Sequence, residues 1–249
     1  MGKIVAIGGG DIRKNTTLAI DKEIVRLSGK RHPRFLFLPT ASSDSKSYWD
    51  FVNTYFTKLG CKTDALFLVT GRPTQYEIKR KISSANIIYV GGGNTLKMMN
   101  IWRRQRVDTM LRAAFKRGAV LSGLSAGSIC WFDAGHSDSM SYYSPKKWDY
   151  IRVTGLGLIK GIHCPHFESA TRRRKRKGAF IEMMKRVREI GIAIEGKCAM
   201  EFVNNRYRII QAAKGAGAYT LFSKNGGVKV RRIPQTKQFR PLSELYAGK

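Results

Sequence analysis

The chain has 249 residues, with 46 Lys and Arg against 17 Asp and Glu, a formal charge of +29 and a sequence pI near 10.4. That length supports one large α/β core more readily than two domains, and the charge makes a polyanion a partner to weigh. No apolar run reaches the roughly 20 residues that a membrane-spanning helix needs, the N-terminus lacks a signal-peptide layout, and Cys61, Cys130, Cys164 and Cys198 form no C-x-x-C pair, which excludes a membrane span, a secreted disulfide framework and the usual zinc ribbons.

In chain order, Lys3–Ile7 is a β-branched strand ending at Gly8-Gly9-Gly10-Asp11. The glycines suggest a dinucleotide turn, but Arg13 stands where the third glycine of G-x-G-x-x-G belongs and no Walker lysine follows. A loop at the carboxyl edge of a parallel sheet is the better reading. Residues 15–28 predict a helix with Leu18, Ile24, Val25 and Leu27 facing inward, Arg34–Leu38 a second strand stopped by Pro39, residues 47–59 a second helix, 65–69 a third strand, 76–82 a short helix and 86–90 a fourth strand. Strands alternating with helices at this spacing predict a parallel sheet covered on both faces.

The fourth strand runs into Gly91-Gly92-Gly93-Asn94-Thr95, and residues 96–116 predict one long amphipathic helix. Glycines before a helix leave backbone N–H groups free for an anion. A fifth strand, 118–122, leads to Gly123-Leu124-Ser125-Ala126-Gly127-Ser128, and residues 126–132 predict a helix. A serine on a strand-to-helix turn, flanked by glycines, is a nucleophile elbow, and the N–H of Ala126 points at whatever Ser125 attacks. An ordinary small-residue turn gives the same five letters; the strand before it and the helix after it favour the nucleophile, and Gly92 or Gly93 then supplies the second donor of an oxyanion hole.

Residues 135–140 are polar and expected near the site as a loop carrying His136 and Asp138. Residues 151–162 are β-like and end at His163-Cys164-Pro165-His166-Phe167-Glu168. Pro165 keeps the two histidines off one helical face and no further ligands complete a metal set, so one of them serves better as a general base for Ser125. A dense basic run, Arg172 to Lys177, reads either as a reader of acidic groups or as a solvated helix face. Residues 178–190 predict a helix and 192–194 a strand ending at Glu195-Gly196. The tail, 199–203, 206–211, 218–222 and 228–233, predicts antiparallel hairpins turning at Asn204-Asn205 and Asn225-Gly226.

Four of these pieces, residues 90–95, 123–128, 165–167 and 194–196, stand in the order in which they occur in peptidase family S51, the group of α-aspartyl dipeptidases (dipeptidase E) and cyanophycinases, which the chain resembles over most of its length. The resemblance implies a flavodoxin-like α/β fold, similar to class I glutamine amidotransferases, forming a single domain over residues 1–249 with C-terminal β hairpins at the sheet edge. It implies a cytoplasmic serine peptidase of small peptides, with Ser125 as nucleophile and His166, the histidine between Pro165 and Phe167, as general base. The third member is Glu195 or Asp138, and Glu195, at the end of a core strand, is preferred over Asp138 in a polar loop. Ala126 with Gly92 or Gly93 forms the oxyanion hole, and Asn94 and Arg172 are the expected substrate contacts. No metal or organic cofactor is implied. The expected partners are a small peptide and, weakly and without sequence preference, nucleic acid; a homodimer is compatible with the sequence, and no membrane is expected. The rivals are another amide or ester hydrolase on the same triad and a nonenzymatic polyanion-binding protein.

Overall fold

A computed structural model describes residues 2–171, 173–236 and 238–247. Its first half is built as the apolar runs dictate. Strands β1 (Lys3–Ile7), β2 (Arg34–Leu38), β3 (Lys62–Ala65), β4 (Ile87–Val90) and β5 (Val120–Leu124) are separated by helices α1 (Leu18–Leu27), α2 (Lys46–Lys58), α3 (Gln75–Ser84), α4 (Thr95–Arg104) and α5 (Val107–Arg117). These five strands are parallel and adjacent in the order β3-β2-β4-β5-β1. Counted from β2, the first four slots follow the 2-1-3-4 order of flavodoxin-like sheets, with β1 in the fifth. Residues of β1, β2, β4 and β5 are buried almost throughout, as strands covered on both faces must be.

Past the elbow come α6 (Ala126–Ile129), β6 (Phe132–Ser137), β7 (Ile151–Thr154), β8 (Ile159–Pro165), a two-stranded ribbon β9 (Ala170–Thr171) and β10 (Arg174–Lys175), α7 (Arg176–Lys185) and β11 (Gly191–Ile194). The tail supplies β12 (Cys198–Val203), β13 (Arg206–Gln211), β14 (Ala218–Lys224), β15 (Gly227–Arg232), β16 (Arg240–Pro241) and the short α8 (Ser243–Tyr246). Both hairpins form where expected, with Asn204, Asn205, Asn225 and Gly226 all at positive φ, as type I′ turns require. They join different sheets. The β12–β13 pair extends the large sheet from β1, with β16 beyond it, whereas β14 and β15 pair onto β11 in a second, six-stranded sheet ordered β15-β14-β11-β8-β6-β7. Apolar side chains from both sheets, among them Ile4, Met200, Trp131, Phe132 and Ile192, form one continuous core.

Four expectations change. The long helix at 96–116 is two helices, because Arg106 adopts φ 57° between them. The third strand is Lys62–Ala65, while Leu66 and Leu68 are buried as irregular chain. The helix after Ser125 stops at Ile129, because residues from Phe132 onward pair with β7 and β8. The expected polar loop at 135–140 is therefore largely the buried end of β6 followed by a short 3-10 turn over Ser139–Tyr142.

Candidate active site

Ser125 sits between β5 and α6 with φ 58° and ψ −112°, a conformation that strains any residue carrying a Cβ. The surroundings hold it there. Its N–H continues the β1 ladder by donating to the Ile7 carbonyl at 3.1 Å, and its own carbonyl accepts from Ser128 N at 2.9 Å and Ile129 N at 3.1 Å. A Cβ on Gly123 would lie 2.1 Å from the Gly127 carbonyl oxygen, and one on Gly127 would lie 2.2 Å from that of Val90. The flanking glycines let the turn fold onto itself and onto β4. The Ala126 amide opens α6 and, among the described residues, donates to no protein acceptor.

The Gly91–Gly93 turn stands beside this serine. A Cβ on Gly92 would be 3.5 Å from the Cβ of Ser125. Gly93 has φ 139°, and a side chain there would strike the Ala41 carbonyl at 2.3 Å. The Gly92 amide faces the Tyr48 hydroxyl, whose pKa burial pushes up to about 12. Asn94 is buried, and its Oδ1 accepts from Lys97 N at 2.9 Å as the cap of α4. That geometry gives the expected substrate contact a structural task. A cleft of about 640 Å³ opens over the turn, lined by Ser42, Ser43, Gly92, Gly93, Lys97 and Tyr143 among others, and a second of about 560 Å³ adjoins Leu124, Tyr48, Asp11 and Arg13.

The three central histidines have different environments. His166, at the end of β8, adopts φ 52°, donates its N–H to the Gly8 carbonyl at 2.8 Å and lays its ring against Gly9, where a Cβ would come within 2.3 Å of Nδ1. Burial lowers its pKa to about 4, with the Arg176 cation pushing the same way and Asp138 opposing. The structure gives no direct hydrogen bond between its ring and Ser125 Oγ. His163 is wholly buried, with Nδ1 2.9 Å from the Ile192 carbonyl oxygen and Nε2 2.8 Å from Ser128 Oγ, and burial holds its pKa down to about 3. His136 is not in a loop but inside β6, stacked on Tyr150 at 4.3 Å between ring centroids.

The carboxylates separate as clearly. Glu195 accepts from the Gly217 amide at 2.7 Å through one oxygen and from the Tyr219 hydroxyl at 2.8 Å through the other, so it fastens the start of β14 and forms no hydrogen bond with His166. Asp138 is the carboxylate whose charge bears on the His166 ring. Its Oδ2 accepts from Thr171 Oγ1 at 2.9 Å and from Arg176 Nη2 at 2.8 Å. Neither carboxylate hydrogen-bonds the His166 ring: Glu195, at the end of a core strand, is turned toward the neighbouring hairpin, and Asp138 is held by Thr171 and Arg176. Arg172 lies outside the described residues. Of its basic neighbours, Arg174 pairs with Asp149 and stacks over Trp148, while Arg176 is only 2% exposed. The buried Arg176 was the residue least legible in the sequence; its signal was the apolar stripe Phe180 and Met184 at i+4 and i+8 on the same helix. Among the described residues, no group of three or more His, Cys, Asp or Glu is placed to hold a metal ion, and all four cysteines are buried free thiols.

A parallel sheet presenting a strained serine at its carboxyl edge, between two glycine turns, is the architecture of a serine hydrolase. The sequence profile of peptidase family S51 matches residues 4–210. The chain belongs to that family and is a serine-type peptidase. It is 33% identical over 224 residues to the Uncharacterized peptidase YgaJ of Bacillus subtilis (strain 168), covering 89% of this chain and 92% of that one. It is 27% identical over 152 residues to Peptidase E of Nostoc sp. (strain PCC 7120), covering 60% of this chain and 58% of the other. Among solved structures, a peptidase from an acI-B1 Actinobacterium superposes with a TM-score of 0.70 at 16% identity over 97% of both chains. A putative Peptidase E from Listeria monocytogenes EGD-e gives 0.59 at 16% identity over 94% of this chain and 100% of that one. Both share the fold.

Proposed function

We propose that this peptidase hydrolyses small peptides, in the manner of a dipeptidase, through a Ser125–His166–Asp138 triad and an acyl-enzyme. The observation that carries this reading is the strained Ser125 turn, with the Ala126 and Gly93 amides beside it left without protein acceptors among the described residues. Ser125 Oγ attacks the peptide carbonyl carbon while His166 removes its proton. The oxyanion that forms is stabilised by the Ala126 amide and one from Gly92 or Gly93; Gly93 is preferred, because the Gly92 amide already faces Tyr48. His166 then protonates the leaving amine, and a water, activated by the same imidazole, releases the acyl group. Asp138 is assigned as the third member because its charge favours the imidazolium as it forms. An imidazole with a depressed pKa stays neutral, and so able to accept a proton, over the whole neutral range.

The clefts near the elbow support a small substrate. Two open clefts of about 640 and 560 Å³ lie at the Gly92–Gly93 turn and beside Leu124, the first walled by Tyr142 and Tyr143 and the second by Phe51 and Tyr48; space of that size beside the elbow supports a small peptide over an extended polypeptide. The test is a panel of dipeptides and longer peptides assayed with the wild type and Ser125→Ala. Hydrolysis confined to short peptides and abolished by Ser125→Ala is expected; efficient cleavage of folded or long substrates, or full activity of Ser125→Ala, overturns the reading.

A further inference from the structure

After His166 the chain runs into the ribbon of β9 and β10, and Arg176 opens α7 directly behind it. The Ser169 amide and hydroxyl both donate to the His166 carbonyl at 3.0 Å, and the Arg176 amide donates to the Ser169 carbonyl at 3.0 Å. The far end of this excursion carries a guanidinium into the interior. Arg176 Nη1 donates to the His136 carbonyl at 3.1 Å, and Nη2 donates to Asp138 Oδ2 at 2.8 Å and Thr171 Oγ1 at 3.0 Å. Its Cζ sits 4.9 Å from the centroid of the Tyr150 ring. A buried arginine spread over a carbonyl, a carboxylate and an aromatic face is held in a single geometry, because any other leaves its charge unpaired in a dry interior.

The consequence lies in which oxygen is used. Both donors reach Oδ2, and among the described residues Asp138 Oδ1 forms no hydrogen bond. We propose that Arg176 and Thr171 are positioning residues that grip Oδ2 and so present Oδ1 of Asp138 to the His166 ring. The inference rests on the triad proposed above. It assigns the end of the basic run a role inside the catalytic machinery, acting through Asp138 and touching no substrate. It also sets a balance of charge on the base. Asp138 favours the imidazolium and Arg176 opposes it; His163, on the same strand as His166, is held neutral by burial, and Glu168, two residues on, is turned to the Gly196 amide. Without Arg176 the carboxylate would raise the basicity of His166 unopposed.

The test uses the rate at which a fluorophosphonate reagent labels Ser125, followed from pH 3.5 to 9, which requires no knowledge of the natural substrate. In the wild type the rate rises along a limb set by His166 to a plateau. Arg176→Met removes both grip and charge, so the limb should move up by about one pH unit and the plateau fall roughly tenfold. Arg176→Lys keeps the charge but loses the fork, so the plateau should fall with the limb in place. Thr171→Val, at a partly exposed position, loosens the grip alone and should lower the plateau roughly threefold, which keeps the test open if the buried variants do not fold. Labelling of Arg176→Met with the wild-type limb and plateau, an equal loss in both Arg176 variants with neither limb moved, or an unaffected Thr171→Val would each overturn the proposal. Failure of the wild type itself to be labelled at Ser125 would instead sink the serine reading on which it rests.

Discussion

Ser128 Oγ lies 2.8 Å from His163 Nε2, a serine–histidine pair as close as any catalytic one and wholly enclosed by protein. Its geometry points to support of the nucleophile. The same hydroxyl is 2.7 Å from the Ser125 carbonyl oxygen, and the other face of the imidazole meets the Ile192 carbonyl at 2.9 Å. A chain of polar contacts thus runs from the strained turn into β11. With Nδ1–H donated to Ile192, the neutral ring has a bare Nε2, and it shares the single Ser128 hydroxyl proton with the Ser125 carbonyl oxygen.

From that pair follows the first prediction. A fluorophosphonate should label Ser125 in the wild type and nothing in Ser125→Ala, because reagent and leaving group cannot reach Ser128. Ser128→Ala should leave His163 Nε2 unpaired and cost about 1–3 kcal/mol of stability, read by urea denaturation, while labelling of Ser125 persists at a reduced rate. A label on Ser128 in either protein would count against a supporting role.

The second prediction separates the carboxylates. Asp138→Asn removes the charge that bears on His166 and should lower kcat/KM by roughly 10³-fold or more. Glu195→Gln keeps an acceptor for Gly217 N or Tyr219 Oη and should stay within about tenfold of the wild type. The reverse pattern in steady-state kinetics on a cleaved dipeptide would restore Glu195 as the third member.

The sequence leaves the choice between Glu195 and Asp138 open for a physical reason. Position along the chain gives the element a side chain stands on but not the direction it takes, and both carboxylates follow strands. Asp138 was placed in a loop because Gly135 to Met140 is polar, yet the β6 half of that stretch is buried against β7 and β8, where His136 is stacked on Tyr150 and tilted against Phe180. Local patterns were reliable where local forces decide: the glycines around Ser125, the Asn-Asn and Asn-Gly turns, and β1 and β2 to the residue. They failed where distant partners decide. Trp131 and Phe132 suit a helix or a strand equally, and pairing with β8 settles it. The helix break at Arg106 carries no glycine or proline to announce it. The split of the two tail hairpins between sheets depends on β11 lying beside β8, which no local signal records.

The third prediction concerns the charge of +29. Many basic side chains are spent within the fold: Arg208 bridges Glu23 and Glu201 at 2.7 Å each, and Arg176, Arg174 and Lys81 hold carboxylates of their own. Apart from the run at 172–177 the basic residues are spread along the whole chain, so binding to nucleic acid should be weak, indifferent to sequence and electrostatic. Measured by fluorescence anisotropy with unrelated DNA duplexes, affinity should fall at least about 100-fold between 50 and 200 mM salt and be the same for Ser125→Ala. Tight, sequence-selective binding that survives high salt would favour the polyanion-binding rival.

The last prediction concerns stability and pH. Asp21, on α1, is fully buried; its Oδ2 accepts from Thr17 Oγ1 at 2.8 Å and Tyr55 Oη at 3.0 Å, while Oδ1 has no partner. Desolvation raises its pKa to about 7, the two hydrogen bonds opposing. In an unfolded chain the same group titrates near its ordinary value of about 3.9. Between those two values the folded state binds the extra proton, so Asp21 favours folding fully only in acid, and its contribution drains away as pH rises through about 7. Denaturation midpoints should therefore carry a component that falls from about pH 4 to about pH 7 and is abolished in Asp21→Asn, which cannot titrate. The difference in slope between the two proteins, of the order of 1 kcal/mol per pH unit within the window, is the quantity to measure. Parallel pH profiles for wild type and variant would show that Asp21 ionises in the native state as easily as in the unfolded chain, and the buried pair with Tyr55 would then need another account.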